Sequence, residues 1–475
     1  MKKIATFILL TCCAFAFTAI EVFSQSGRVV TPPPDKSKDE RSASALYDDA
    51  AGYTARKFRE FADKKISFNP KLAEQTYKEQ KELAARYATE LSARQKLTSD
   101  DLYYLGLLYH LSSNEERTVE TFKRFLEANQ GAGARQQFAR YLVVLRSAES
   151  KHFAEAESQL ADYLRFEPRK TNERVGMENA LTAAYHKDKQ LDRAVAHAEE
   201  AYQSAKSLQP TAQNVDAVAQ ALYKSSSALV DIYQELKRPE KAATAVLEEV
   251  RKLAQALPSM RLYVDATEKL ADVFMDNKHK ADAVKTIESA LDYAKTGVKR
   301  MEDQRYMFSA LERKQNQLRI EGEAAPEITV AKWIEQSPLK LSDLRGHVVL
   351  LDFWATWCGP CLAAFPHLRE WNEKYKTRGL VVLGITKYYG RGDGQEMTPP
   401  EENSFLERFK KEHHLTYGVG VADTDNNLRS YGVQAIPTAV LIDRQGVIRL
   451  VTTGSGGNET TIESVFEKLL NEDGK

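Results

Sequence analysis

The sequence predicts a multidomain protein in which an all-α helical repeat region precedes an α/β domain with a mixed sheet. The chain has 475 residues, 28% of them charged and 43% hydrophobic, and this length exceeds that of one ordinary soluble domain. Between residues 45 and 320, apolar residues recur at three- and four-residue spacing with few glycines, which is the pattern of amphipathic helices. From residue 324 to residue 475, short apolar runs alternate with helical patterns, as in α/β domains.

Residues 1–24 have the features of a secretory signal. Met1-Lys2-Lys3 is followed by an apolar stretch that ends at Ile20, and a cleavage position follows near Ser24. Residues 25–44 are rich first in proline and then in charge, which predicts a flexible linker. We expect export to the bacterial periplasm. The alternative is an uncleaved segment that anchors the protein in the membrane, facing the periplasm.

The charge balance excludes one class of partner. Lys plus Arg and Asp plus Glu both number 67, so the formal net charge is zero. No global field attracts a polyanion, and we expect no nucleic-acid partner. A membrane contact is expected only if the N-terminal segment is uncleaved.

The helical region contains five repeated units. In four of them a large aromatic residue is followed nine positions later by a small residue that lets two helices approach closely: Tyr109 with Thr118, Tyr185 with Ala194, Tyr233 with Ala242, and Phe274 with Ala283. The remaining unit contains Ala156, Leu160 and Tyr163. The units resemble degenerate tetratricopeptide repeats. That resemblance implies a concave surface for a protein partner; a spacer or a dimerisation element is the alternative.

Cysteine usage indicates redox chemistry. Of the four cysteines, Cys12 and Cys13 lie in the predicted signal, so the mature chain keeps only Cys358 and Cys361. An exported chain with a single close pair has retained its sulfur for thiol–disulfide exchange rather than for structural disulfides. The alternatives are a zinc half-site, which would need a second pair of ligands, and two unrelated buried cysteines. We therefore expect no metal and no cofactor.

The cysteine pair follows an apolar run, residues 348–353, which predicts a buried strand leading directly to the start of a helix. At a helix N-terminus, free N–H groups and the helix dipole favour a thiolate, which makes Cys358 the candidate nucleophile. Cys361 lies one helical turn further on, close enough to form a disulfide with Cys358.

Further strands and helices are predicted around this junction. The predicted strands span residues 327–333, 348–353, 380–386, 439–442 and 448–452. The predicted helices span residues 361–377, 400–413, 426–431 and 459–470.

The run Asp-Phe-Trp-Ala-Thr-Trp-Cys-Gly-Pro-Cys at residues 352–361 resembles the thioredoxin active site. Pro366 matches the proline that kinks the active-site helix of that family, and Ile436-Pro437-Thr438 is similar to its cis-proline segment. Ala325-Pro326 and the segment 341–346 resemble the TlpA/ResA-like branch of exported thioredoxin-fold proteins. The resemblance covers residues 324–475.

This resemblance implies a role for each site residue. Cys361 would resolve the mixed disulfide formed on Cys358. Asp352, at the end of a buried strand, should have a raised pKa and take the proton of Cys361, or else be a structural polar residue. Pro437 is predicted to be cis and to lie against the cysteines.

Four further residues are candidates for substrate binding. The backbone of Ile436 would pair with an extended substrate segment, and Trp357 would add an apolar contact surface. Gly359 and Pro360 would keep the turn between the cysteines tight.

The sequence departs from the TlpA/ResA-like pattern after the second core strand. Thr386-Lys387 stands where many such chains carry an acidic residue. The following insertion, residues 388–400, is either a substrate lid carrying two tyrosines or an inert loop.

These observations predict an exported thiol–disulfide oxidoreductase, favoured as a dithiol reductase of protein disulfides. It would need an upstream dithiol electron donor, and its repeats would recruit a protein partner. The alternatives are a disulfide oxidase or isomerase of exported proteins, and a non-catalytic scaffold built on the repeats.

Overall fold

The computed structural model describes residues 41–66, 69–129, 131–257, 260–454 and 458–472. The predicted signal and residues 25–40 of the predicted linker lie outside the described residues. The chain divides into two compact units, Met1–Tyr263 and Val264–Lys475. Within the described ranges, no helix combines the length and the apolar character needed to cross a membrane.

The described part of the first unit is helical. Its helices, in chain order, are α1 (Ala43–Ala51), α2 (Tyr53–Asp63), α3 (Pro70–Ser92), α4 (Ser99–Leu111), α5 (Glu115–Ala128), α6 (Ala134–Glu149), α7 (Phe153–Arg165), α8 (Thr171–Lys187), α9 (Leu191–Lys206), α10 (Val215–Glu235) and α11 (Glu240–Ala256).

Small residues allow successive helices to approach closely, as the sequence pattern suggests. Gly106 on α4 faces the ring of Phe122 on α5, and a Cβ atom at residue 106 would lie 2.7 Å from that ring. On α9, Ala194, Ala198 and Ala201 are fully buried. The predicted repeat units thus fall on helices that pack through their apolar faces. The tetratricopeptide assignment itself stays a prediction.

A partly buried histidine connects three helices of this unit. The Nδ1 atom of His197 on α9 lies 2.8 Å from the Glu178 carboxylate on α8, and its Nε2 atom lies 3.1 Å from the Glu157 carboxylate on α7. Tyr185 stacks on the imidazole with ring centroids 5.5 Å apart. Burial alone would lower the pKa of His197, but the two hydrogen-bonded carboxylates outweigh it and raise that pKa.

The second unit contains most of α12 (Met260–Asp276), two further helices and an α/β domain. The elements that follow α12 are α13 (Lys280–Thr296), α14 (Met301–Ile320), β1 (Lys332–Ile334), a 3₁₀ turn (Leu341–Leu344), β2 (Val348–Phe353), α15 (Gly359–Tyr375), β3 (Leu380–Lys387), β4 (Arg391–Gly392), β5 (Gln395–Glu396), α16 (Pro399–Glu412), β6 (Gly418–Ala422), α17 (Asn426–Ser430), β7 (Thr438–Ile442), β8 (Ile448–Thr453) and α18 (Glu459–Asn471).

The sheet is mixed, as predicted, and β2 lies inside it. The strand order is β1-β6-β3-β2-β7-β8; β2 pairs parallel to β3 and antiparallel to β7. Every residue of β2 is buried, because helices and loops cover both faces of the sheet. Val348 and Leu350 point into the same core as the two cysteines, whereas Val349, Leu351 and Phe353 point into the other core. By this alternation Asp352 belongs to the cysteine face.

One predicted strand of the six-stranded sheet had the wrong bounds, and another strand of that sheet was not predicted. The strand predicted at residues 327–333 begins only at Lys332, because the preceding backbone is held irregularly, with Thr329 N–H donating to the Asn427 side chain. Strand β6 was missed, because its residues Gly418 and Gly420 weaken the strand pattern. Gly420 is needed for packing, since a Cβ atom there would lie 2.9 Å from Val330.

Candidate active site

The cysteine pair lies at the N-terminus of α15. Cys358 is the N-cap residue of this helix, and Gly359 and Pro360 form its first two positions. The N–H of Cys361 donates to Cys358 Sγ at 3.2 Å. Proline is well suited to the first turn of a helix, where its missing N–H leaves no bond unmade. Cys358 therefore lies at the N-terminal end of the helix, and the helix dipole points at its sulfur.

The two sulfurs form a disulfide, with Cα atoms 5.2 Å apart. Cys358 is 5% exposed, whereas Cys361 is fully buried. Since an exchange partner approaches from solvent, the geometry favours Cys358 as the sulfur that is attacked in the oxidised state and that attacks in the reduced state. Pro366 lies inside the same helix, as the sequence predicts.

Asp352 is buried on the cysteine face of the sheet. It is 3% exposed, and its Oδ2 atom has no hydrogen-bond partner among the described residues. Burial raises its pKa to about 7, in the direction that the sequence predicts. At neutral pH this carboxyl group can therefore hold or release a proton.

Two other polar groups in this core also lack a hydrogen-bond partner within the described ranges: the indole N–H of Trp354 and the hydroxyl of Tyr417. Gly384, which pairs with Asp352 across the sheet, leaves room for both rings; a Cβ atom there would lie 2.8 Å from Trp354 Nε1 and 3.2 Å from the Tyr417 ring. Burial first, and then the charge of Asp352, raise the pKa of Tyr417. The buried acid thus lies in a mostly apolar core with two uncharged polar neighbours.

The bond between Ile436 and Pro437 is cis, as predicted. The C=O of Pro437 accepts from Gly454 N–H at 2.8 Å, which attaches the loop to the end of β8. Ile436 is half-buried and forms no backbone hydrogen bond with any other described residue. Its N–H and C=O are therefore open to an added strand.

A hydrogen-bond chain connects this loop to helix α14. Gln317 Nε2 donates to Thr453 Oγ1 at 3.2 Å, and the Thr453 and Thr438 hydroxyls lie 2.9 Å apart. Thr438 in turn donates to the C=O of Ala435 at 2.7 Å. Each of the two hydroxyls donates its single hydrogen and also accepts a hydrogen bond. The series of hydrogen bonds therefore runs without a gap from Gln317 on α14 to Ala435, the residue before Ile436.

A cleft of about 560 Å³ opens between Trp357, the residue before Cys358, and the cis-proline loop. Trp357 and Ile436 both line it, so two of the predicted substrate-binding residues are brought together. Trp357 is 52% exposed, unlike Trp354, which is 2% exposed and packs on Phe409. The exposed ring is available for contact with a partner.

The insertion at residues 388–400 also contributes to this cleft. Tyr389 lines it and meets the edge of Trp357 with ring centroids 5.4 Å apart. Lys387, the last residue of β3, forms an ion pair with Asp425 at 2.7 Å. The insertion is evident in the sequence, but the positions of its side chains could not be predicted, since no periodic pattern marks a loop.

Comparisons with known proteins place similarity in the C-terminal part of the chain. A family model described as Redoxin matches residues 320–470. The chain is 31% identical over 134 residues to the thiol-disulfide oxidoreductase ResA of Geobacillus thermodenitrificans (strain NG80-2), covering 28% of this chain and 70% of that protein. It is 30% identical over 148 residues to ResA of Geobacillus kaustophilus (strain HTA426), covering 31% and 77%. A solved thioredoxin domain of a thiol-disulfide oxidoreductase from Bacteroides vulgatus is 24% identical, with a TM-score of 0.26, over 30% of this chain and 96% of that one.

Proposed function

The chain belongs to the family of ResA-like thiol-disulfide oxidoreductases, and from that premise we propose that it is a dithiol reductase of protein disulfides. The observation that carries the proposal is the cysteine pair itself. Cys358 caps a helix and directly follows Trp357, which lines an open cleft, and its buried partner Cys361 is already joined to it in a disulfide.

In the proposed reaction, the Cys358 thiolate of the reduced protein attacks one sulfur of a substrate disulfide. The substrate S–S bond breaks, a Cys358–substrate mixed disulfide forms, and the first substrate thiolate leaves. Cys361 then attacks the Cys358 sulfur and releases the second substrate thiolate. Two electrons have moved to the substrate, whose disulfide becomes a dithiol, while the protein is left with the Cys358–Cys361 disulfide.

Asp352 supports the second step. Cys361 has to lose its proton before it can attack, and a buried carboxyl with a pKa of about 7 can accept that proton near neutral pH. The thiol proton would pass to Asp352 and later to the departing substrate thiolate or to solvent.

Substrate would bind as an extended segment in the cleft. The free backbone groups of Ile436 can pair with such a segment, and the exposed ring of Trp357 can cover its apolar side chains. Gly359 leaves open space above the helix start, since a Cβ atom there would meet nothing within 4 Å. A protein chain can therefore approach the sulfur of Cys358 closely.

The direction of exchange is proposed from the residues between the cysteines. Gly359-Pro360 resembles the pair found in reducing thioredoxin-like proteins. After each turnover an upstream dithiol donor has to reduce the Cys358–Cys361 disulfide again. The predicted signal at residues 1–24 supports export to an oxidising compartment, the bacterial periplasm, where such a donor is needed. We further propose that the helical region recruits the protein partner.

A trapping experiment tests this proposal. In Cys361→Ser the mixed disulfide on Cys358 cannot be resolved, so incubation of this variant with insulin should yield a covalent adduct that dithiothreitol releases. The matched control, Cys358→Ser, keeps one cysteine in the same helix turn but should form little adduct, because Cys361 is fully buried. Equal adduct from both variants would contradict the assignment of Cys358 as nucleophile.

The scaffold alternative makes a different prediction. If the protein exchanges disulfides, Cys361→Ser purified from cells should carry partners bound through a mixed disulfide on Cys358. These partners should be absent when Cys358 is also replaced by serine. If the double variant of the full chain still retains the same partners without covalent bonds, and Cys361→Ser forms no mixed disulfide, the helical region acts as a scaffold without exchange.

A further inference from the structure

The insertion at residues 388–400 forms a small hairpin of β4 and β5 that is fixed to α16. The buried carboxylate of Glu402 accepts the N–H groups of Tyr389 and Gly390, each at 2.9 Å. Gly392 packs so closely on Phe405 that a Cβ atom there would lie 2.6 Å from the ring. Hydrogen bonds from the main chain to a buried carboxylate, together with close packing, hold the hairpin in a defined position against α16.

The hairpin presents two side chains to the cysteine site. Tyr389 meets Trp357 edge to face, and the guanidinium of Arg391 lies over the Trp357 ring with 5.5 Å between Cζ and the centroid. Lys387 lies over the other ring of the pair, with its Nζ 4.9 Å from the Tyr389 centroid. Trp357 precedes the nucleophile, so this aromatic and cationic wall borders whatever binds at Cys358.

The charges along the cleft do not balance. Lys387 is matched by Asp425 at 2.7 Å, but within the described ranges neither Arg391 nor Arg429 forms an ion pair. One nitrogen of Arg429, Nη2, donates to Asn426 Oδ1 at 2.6 Å. Glu396 is the cross-strand neighbour of Arg391 in the hairpin and forms no ion pair with it in this structure. The Arg391 guanidinium and the remaining N–H groups of Arg429 can thus meet carboxylates supplied by a partner, a match that their planar donor geometry favours.

Resting on the proposed exchange at Cys358, we infer that the hairpin is a specificity element that selects substrate segments with aspartate or glutamate beside the disulfide cysteine. Arg391 at the rim and Arg429 in the cleft are the recognising groups. Trp357 and Tyr389 form the rigid surface on which the segment lies. The occupant is an extended acidic segment of a substrate protein.

Peptide disulfides of defined charge test this inference. Three disulfide-linked peptide dimers would differ only in the residues flanking cysteine, which are Glu, Gln or Lys. The rate constant with the reduced full chain is followed by tryptophan fluorescence and divided by the rate of the same peptide with dithiothreitol, which removes the intrinsic reactivity of each disulfide. We expect the corrected rate to be roughly threefold or more higher for the Glu peptide than for the Lys peptide.

Variants at residue 391 separate charge from structure. Arg391→Glu should abolish or reverse the preference, while Arg391→Lys should keep its direction. The matched control is Lys376→Glu, the same change of charge at an exposed residue just beyond the C-terminal end of α15, roughly 25 Å along the helix from Cys358. Lys376→Glu should keep the wild-type preference for the Glu peptide and should react with uncharged hydroxyethyl disulfide within about twofold of the wild-type rate.

The outcomes distinguish this inference from the proposed function. If the wild-type protein reduces none of the disulfides, the proposed reductase function fails. If it reduces all three peptides with the same corrected rate, or if Arg391→Glu keeps the preference for the Glu peptide, the hairpin does not select acidic segments while the reductase function stands.

Discussion

Replacing Asp352 by asparagine tests whether this side chain is a desolvated acid on the cysteine face of the sheet. Its carboxyl is 3% exposed, and one of its oxygens has no partner among the described residues. Burial raises its pKa from 3.8 to about 7. Asparagine has nearly the same shape and cannot ionise, so the change removes only the charged state.

The size of the effect follows from the pKa. A rise from 3.8 to about 7 corresponds to about 4 kcal/mol in favour of the protonated form. Because the folded-state pKa is raised, the stability that Asp352 contributes is complete below the unfolded-state pKa and is lost as the pH rises through about 7. Asp352→Asn should therefore raise the free energy of unfolding by up to about 4 kcal/mol near pH 8 and change it far less near pH 4.

Tryptophan fluorescence can follow this domain in the full chain. The four tryptophans are Trp333, Trp354, Trp357 and Trp371, all in the second unit. Unfolding by guanidinium would be recorded near pH 4 and near pH 8. The protein would be kept oxidised, because cysteines in a disulfide do not titrate.

Asp443→Asn is the matched control for this change. Asp443 is also buried, but it accepts hydrogen bonds from the N–H groups of Gln445 and Val447 and forms an ion pair with Arg449. Its replacement should therefore lower stability near pH 8. An equal effect of Asp352→Asn at both pH values, or a loss of stability near pH 8, would refute the account of Asp352 as a desolvated acid.

Three further changes test other parts of the structure. The pKa of His197 is raised in the folded state, so the stability that His197 contributes is complete below about pH 6.5 and is lost as the pH rises through its folded-state pKa. Thermal unfolding followed by far-UV circular dichroism should therefore show a melting temperature that falls with rising pH in the wild-type protein, and a smaller fall in His197→Gln. Gln317→Leu removes the donor at the start of the hydrogen-bond chain to the cis-proline loop. It should lower kcat/KM for a protein disulfide by about fivefold without changing the rate with hydroxyethyl disulfide. An equal decrease in rate with both substrates would contradict a positioning role for Gln317. Gly384→Ala forces a Cβ atom against Trp354 and should cost about 1–3 kcal/mol in fluorescence-detected unfolding, whereas Gly359→Ala, in open space, should leave stability nearly unchanged.

The central site could be predicted from the sequence because its parts are local. The cysteines, Gly359 and Pro360 are contiguous, and the apolar run before them indicates a buried strand that ends in Asp352. Burial of that strand on both faces then accounts for the raised pKa of the acid. The cis bond at Pro437 followed from the resemblance rather than from any local pattern.

Other parts depend on contacts between distant residues. Gln317 and Thr453 are 136 positions apart, and neither residue type by itself indicates a shared hydrogen bond. The hairpin at residues 388–400 takes its shape from the carboxylate of Glu402, which sequence reasoning placed in an ordinary helix. Strand β6 was missed because its glycines, which close packing requires, are poor strand formers.

The reduction potential of the Cys358–Cys361 pair tests the central claim most directly. The oxidised full chain would be equilibrated with defined ratios of reduced and oxidised dithiothreitol, and the oxidised fraction read from tryptophan fluorescence and confirmed by thiol labelling. A dithiol reductase should have a potential near that of thioredoxin, about −270 mV. A potential near about −120 mV, that of a strong disulfide oxidant, would contradict the reductase function and favour oxidation of exported proteins.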